Sequence, residues 1–461
     1  MTVPSPGPLV HPRLPRFAQF CWARLNSSPL ATRLAKGAIW SLAGTAVSRG
    51  LTLFASILVA RILGKEAFGE LGIIQNTSGM FGVFAGFGLG LTSTKYVAEF
   101  RAKEPGRAGR IIALSAALAW AAGLLAAAVM WIAAPWLAER TLAAPQLTPA
   151  LRISSLLALL GGVNGAQTGA LSGFESFKTI AWVNLLAGLA SFPLVLIGTR
   201  CGGLHGTIWG LVGSLAVNAA LSNLALRRQC ATAGVPLFHW ATRRDWDVLW
   251  RFSLPAVLSS AMVVPAYWAC SAIVVNQPGG YGEMGVFNAA NQWFSALLFL
   301  PMVLSQAAMP VLSERLGNND TASTRDVLRS CLKTNIIVVS PLILAAGIGS
   351  PYIMASYGTG FAGAWPTFVV VLSTAGVLAV LTPVGQLLAA SGRLWLGASM
   401  NLGWGLAFLC FAYLLRSHGA FGLASSRLLA YLLHATWSIA FGMYVLNNWK
   451  GVSSVQKGGH R

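Results

Sequence analysis

Acidic residues are what this sequence has least of. Of 461 residues, 12 are Asp or Glu against 32 Lys or Arg, and charged residues make up only 10% of the chain. A soluble protein of this size carries about 25%. So few charges cannot clothe a water-soluble surface, which excludes a soluble enzyme. The six cysteines are scattered and none forms a CxxC pair, which leaves no zinc ribbon or thioredoxin-type site. No Walker-type phosphate loop occurs, so the chain is not its own ATPase. Gly86-Phe87-Gly88-Leu89-Gly90 lacks the strand context of a dinucleotide fold. No metal site and no cofactor are expected.

What is present is apolar: 55% of the residues are hydrophobic. About 20 such residues cross a bilayer as a helix. Twelve runs of that kind occur: 37–60, 71–93, 111–133, 153–171, 180–198, 206–226, 252–275, 284–311, 334–354, 365–390, 394–415 and 421–445. They predict an all-α integral membrane protein. Threading them from a cytoplasmic N-terminus puts twenty-four of the 32 cationic residues on the cytoplasmic side. Arg61, Lys65, Arg140, Arg152, Arg200, Arg416 and Arg427 remain outside, and Arg49 lies in mid-membrane. This is the positive-inside pattern, so the net charge of +20 speaks for membrane topology and against nucleic acid. The expected organisation is a basic tail (1–36), an N-terminal lobe (37–226), a cytoplasmic linker (227–251), a C-terminal lobe (252–447) and a second cytoplasmic tail (448–461).

Arg49 is the first candidate site residue. A guanidinium at mid-depth costs at least ~2.5–3.5 kcal/mol, so it is expected to face a hydrated cavity or a partner. No acid precedes Glu66 to pair with it. Its fork donates bidentate bonds to phosphate and keeps its charge. The plainer reading is a structural arginine bonded to backbone carbonyls between helices. In the eighth run Asn288, Asn291 and Gln292 share a face, at spacings that suit either sugar hydroxyls or neighbouring helices. Arg427 and His434 lie seven residues apart on the twelfth. Arg427 is expected to line the outer cavity mouth or to snorkel from a helix end, as Arg152 does. His434 reads as a packed polar residue. Gly82, Gly86 and Gly90, and Gly161, Gly165 and Gly169, recur every fourth residue, a close-packing pattern.

The chain also repeats itself. Phe68-Gly69-Glu70-Leu71-Gly72 opens the second run and Tyr281-Gly282-Glu283-Met284-Gly285 opens the eighth, six helices later. Tyr357-Gly358 with Phe361-Ala362 is a weaker echo before the tenth. The match predicts two parallel six-helix lobes with a substrate path between them, and it equates Gln75 with Asn288.

Further short motifs carry a resemblance. They are Gly37-Ala38-Ile39-Trp40; Ala60-Arg61-Ile62-Leu63-Gly64 with Glu66, Phe68-Gly69 and Leu71; Leu171-Ser172-Gly173-Phe174 with Phe177-Lys178; and Phe252-Ser253-Leu254-Pro255-Ala256. In order and spacing the chain resembles the oligosaccharide flippases of the multidrug/oligosaccharidyl-lipid/polysaccharide superfamily, the O-antigen and exopolysaccharide branch. The resemblance implies two lobes around a central cavity. It implies translocation of undecaprenyl-diphosphate-linked sugar repeats across the bacterial inner membrane by alternating access, with Arg49, Gln75, Asn288, Asn291, Gln292 and Arg427 as candidate substrate contacts. Partners would be the polyprenyl-diphosphate-linked oligosaccharide, the bilayer, and the polymerase and glycosyltransferases of the pathway. Three rival readings stand beside it. A cation-coupled drug antiporter needs embedded carboxylates. A lipid II flippase has two more helices and several cavity arginines. A membrane-embedded glycosyltransferase or ligase usually needs a large catalytic outer loop.

Overall fold

A computed structural model describes residues 29–86, 88–236, 262–318, 320–391 and 394–448. Among these residues there is no strand. The first helix, α1 (Pro29–Gly86), is two arms joined at Gly64. Its φ of 78° is a left-handed turn that glycine adopts without a Cβ clash. The arms fold back on each other, so that Ala55 and Val59 of the first share a cavity wall with Phe68 and Leu71 of the second. After Gly88, again left-handed, α2 (Leu89–Phe100) completes the second arm. Then come α3 (Pro105–Trp136), α4 (Thr148–Gly173) and α5 (Phe177–Thr232). α5 is also two arms, reversing at Gly202–Gly203. Its arms touch backbone to backbone at Gly198 and Gly206, where no side chain fits.

The second half comprises α6 (Val264–Val275), α7 (Gly280–Gly317), α8 (Thr321–Ile348), the short α9 (Ser350–Ser356), α10 (Trp365–Ala390), α11 (Leu394–Leu414) and α12 (Gly419–Asn447). Nine continuous helices among the described residues are long and apolar enough to cross a membrane, two of them the folded-back α1 and α5. With those two divided at their glycine turns and the short apolar α6 included, the described residues hold twelve candidate crossing segments.

Several boundaries differ from the sequence expectation. Helix α1 begins at Pro29, inside the expected tail, and α5 continues through Arg227 and Arg228 to Thr232, inside the expected linker. A basic, polar segment forms helix where it prolongs an already nucleated one. The expected run 71–93 is broken at Gly88. Helix α8 starts well before Thr334, because Asp320 caps it by accepting a bond from the Ser323 amide at 3.0 Å. Residues 252–261 of the seventh run lie outside the described residues.

The predicted glycine seam forms at one end only. A methyl group at Gly82, Gly86 or Gly161 would meet nothing within 4 Å. Gly169 sits on the Gly90 carbonyl and Gly90 on the Gly165 carbonyl, so these members of the repeat do pack closely. Before the left-handed Gly88 the approach is made instead by Gly162 on the Ala85 carbonyl.

Three buried clusters show how the halves meet. One runs through both halves and includes Phe68, Leu142, Leu147, Val275, Met284, Phe287, Tyr357, Phe361 and Leu423. It gathers the turns near residues 64, 142, 279, 358 and 419. A second cluster, with Phe100, Ile111, Phe174 and Leu226, belongs to the first half alone. A third, with Leu312, Leu328, Leu387 and Leu446, belongs to the second half alone. The halves therefore share a core at one end, and at the basic end each has its own.

Candidate functional site

The shared end is built on the repeated motif. The second arm of α1 and α7 run parallel. A Cβ on Gly69 would strike the Tyr281 carbonyl, Gly285 sits on the Lys65 carbonyl, and Gly72 receives the amide of Asn288. Phe68 packs on Tyr357 at 6.4 Å and on Phe361 at 6.2 Å between ring centroids, so all three aromatic-glycine motifs of the sequence converge. Hydrogen bonds between halves follow the same seam. The Lys65 ammonium donates to Glu283 at 3.0 Å. Arg61 donates to the Ser356 carbonyl at 2.5 Å, Asn276 to the Thr141 carbonyl at 2.7 Å and Tyr281 to the Leu142 carbonyl at 2.7 Å. Deeper in, the Trp268 indole donates to Thr77 at 2.9 Å.

Arg49 makes a further bridge between the halves. Its Nη1 donates to the Ser295 carbonyl of α7 at 2.9 Å, and its guanidinium lies 4.7 Å from the Phe299 ring centroid. The side chain stays exposed beside that bond. The structural expectation for this residue is met, since it is bonded to a carbonyl of the opposite half.

Beside it, in the first half, lies a polar cavity of about 310 Å³ between α1, α4 and α5. Ser48, Thr52, Gln75, Asn184, Ser191 and Asn218 contribute its polar wall. A smaller space of about 80 Å³ shares Thr52, Gln75 and Ser191 with it and reaches Gln292 of α7. Gln75 and Gln292 therefore face a common space between the halves. The second half holds a cavity of about 390 Å³ with Thr382, Gln386, Asn401, His434 and Ser438. Among the described residues no carboxylate lines any of these three cavities. A hydroxyl and amide wall without charge offers donors and acceptors to a neutral polyol.

The amide face of α7 does not act as one unit. Asn288 packs on Gly72 in the seam, and its Nδ2 is buried without an acceptor. Asn291 accepts from Arg427 Nη1 at 2.8 Å. Only Gln292 reaches the cavity near Gln75. Arg427 itself corrects the snorkelling expectation: it is only 5% exposed, and its guanidinium lies 3.6 Å from the Phe294 ring centroid, near Tyr267 and Tyr431. A run-end arginine is drawn inward here because α7 supplies an amide and an aromatic face in place of water. Arg152 stacks on Trp131 at 4.4 Å. His434 is packed edge-on between Tyr431 and Trp437, with Ser438 3.2 Å from its Nδ1.

Ser48, Thr52, Asn184, Ser191, Ser214 and Asn218 were not singled out from the sequence. The signal was there: Ser48 and Thr52, and Ser214 and Asn218, stand four residues apart on otherwise apolar helices, which puts each pair on one face.

Two folded-back helical halves, closed on each other at one end around an uncharged polar interior, define a membrane transporter fold. Solved structures share it. The inward-facing conformation of a multidrug resistance MATE family transporter of the MOP superfamily aligns with a TM-score of 0.74 at 15% identity, over 90% of this chain and 100% of that one. The outward-facing conformation of such a transporter aligns at 0.68 and 18% identity, over 91% and 96%. The family described as Polysaccharide biosynthesis protein matches residues 34–315, and the chain belongs to it. Among curated relatives, the EPS I polysaccharide export inner membrane protein EpsE of Ralstonia nicotianae is 24% identical over 382 residues, 82% of this chain and 85% of that protein. The Lipid III flippase of Escherichia coli is 25% identical over 305 residues, 64% and 71% of the two chains. The chain stands with the transport proteins of polysaccharide biosynthesis and not with the enzymes.

Proposed function

We propose that this chain flips polyprenyl-diphosphate-linked oligosaccharide repeats across the bacterial inner membrane, for O-antigen or exopolysaccharide assembly. The relatives named as a polysaccharide export inner membrane protein and a lipid III flippase support the location and the precursor class. The observation that carries the reading is the character of the interior. Arg49 places a guanidinium at the seam between the halves, and the described lining of the polar cavity in the first half is hydroxyls and amides with no carboxylate. A diphosphate needs the first and a sugar the second. The polyprenyl chain is left in the bilayer, where apolar matter costs nothing to keep.

The asymmetry of the cores supports an alternating-access mechanism. Separate clusters at the basic end let the halves part there, while the Lys65–Glu283 and Arg61–Ser356 links hold the other end shut. With the positive-inside threading, this is a state open to the cytoplasm, where lipid-linked repeats are made. Both termini are then cytoplasmic. Glycosyltransferases would deliver the substrate and a polymerase would consume it. Drug antiport with a cation is the weaker reading, because a cationic cargo would meet Arg49 and no acid.

The test is reconstitution in vesicles with a fluorescent polyprenyl-diphosphate oligosaccharide in one leaflet and, in parallel, a fluorescent organic cation in the lumen. Protein-dependent loss of the lipid-linked sugar from its leaflet supports the reading. Cation efflux without sugar-lipid movement would overturn it.

A further inference from the structure

At the basic end of the second half, a cavity of about 380 Å³ opens between α8, α10 and α12. Its floor is hydrocarbon: Leu328, Leu332, Val380, Val384, Met443 and Leu446. Among the described residues its charged lining is Arg325 and Arg329. These stand one helical turn apart on α8, hence on one face. Asn447, at the end of α12, accepts from Arg325 Nη2 at 2.8 Å and holds that guanidinium across the groove. No carboxylate among the described residues lines the groove, and it lies apart from the seam between α1 and α7.

We propose that this groove is a binding site for an anionic glycerophospholipid, with the headgroup phosphate on Arg325 and Arg329 and an acyl chain along Leu332, Val384 and Met443. The shape and charge are those of an amphiphile with one negative end. Guanidinium forks suit a phosphate better than a zwitterionic surface. Basic pockets between helices at a cytoplasmic face take anionic headgroups, and they lose affinity as salt screens them. The chain's own C-terminal residues are a poor occupant on charge: after Asn448 they carry Lys450, Lys457 and Arg461 and no acid. The site concerns lipid bound to the second half and does not depend on which cargo crosses between the halves.

The experiment uses the full chain in detergent with a phosphatidylglycerol bearing a diazirine on its acyl chain. After illumination, labelling is mapped on the segments containing Leu328–Leu332 and Ile439–Asn447. Unlabelled phosphatidylglycerol is expected to compete, while equal phosphatidylcholine and millimolar inorganic phosphate do not. Arg325→Gln with Arg329→Gln should lower labelling about tenfold, and Met443→Trp, which keeps both arginines and fills the groove, should do the same. Gel filtration checks that each variant elutes as wild type, and Met443→Trp decides if the arginine pair fails to fold. Four outcomes would overturn the proposal: equal competition by phosphatidylcholine, competition by free phosphate, labelling unchanged in the folded variants, or a crosslink to a second copy in place of lipid.

Discussion

Lys65 Nζ and Glu283 Oε1 stand 3.0 Å apart across the two halves, at corresponding mouths of the second arm of α1 and α7. Glu283 is the acid of the repeated aromatic-Gly-Glu motif. Its second oxygen accepts from the Ala420 amide at 2.9 Å, at the start of α12. One carboxylate therefore ties the first half to the helix that carries Arg427.

Weakening that tie should favour parting at the shared end. The ion pair is about one-third exposed on each side, so its own worth is at most ~1 kcal/mol, or about fivefold in population. Glu283→Gln should lower disulfide trapping between cysteines introduced as Arg61→Cys and Ser356→Cys, measured in membranes. Trapping as efficient as in the Glu283 parent would show that the apolar seam alone holds this end.

Arg49 should matter through its charge and its fork. Arg49→Ala should abolish polysaccharide export in a deletion strain while protein level is kept, and Arg49→Lys should restore it partly or not at all. Full complementation by Arg49→Ala would reduce this residue to a link between α1 and α7.

Arg427 poses a different question, because it is buried without an acid. Replacing it leaves no carboxylate unpaired, so Arg427→Met should fold, with Asn291 losing its donor. A double-mutant cycle of Arg427→Met and Asn291→Leu, read by thermal unfolding in detergent, should give a coupling of about 1.5–3 kcal/mol, the range for a hydrogen bond to a charged group. A coupling near zero would show that Arg427 is held by the rings of Phe294, Tyr267 and Tyr431 alone.

At Gly69 the halves meet backbone to backbone. A Cβ there would strike the Tyr281 backbone, and backbone cannot swing aside as a side chain does. Gly69→Val should cost upward of 1–3 kcal/mol and abolish trapping between positions 61 and 356. The same change at Gly82, which faces open space, should leave trapping and stability within experimental error.

Cys201 reports topology. It is a free, exposed thiol beside the Gly202–Gly203 turn. A membrane-impermeant maleimide should label it in intact cells and fail in Cys201→Ser, while Cys21 should react only after permeabilisation. The reverse pattern would invert the threading.

The sequence by itself determined the class and most of the helices. Long apolar runs must become helices in a bilayer, because no water is present to satisfy the backbone. Cationic bias between the runs fixed an expected orientation, and the scarcity of Asp and Glu set the polarity of the interior. These are local or compositional facts that need no partner. What the tertiary structure decided is which polar residue meets which. Asn288, Asn291 and Gln292 share a helical face, yet one packs on Gly72, one holds Arg427 and one faces the cavity with Gln75, because three different neighbours cover that face. Arg427 looked like a snorkelling end residue until α7 was placed against it. The four-residue glycine pattern packs at Gly90 and Gly169, after the left-handed Gly88, while Gly82 and Gly86 before it face open space. The fate of a polar side chain in a membrane depends on the helix packed opposite, and spacing along one helix cannot supply that.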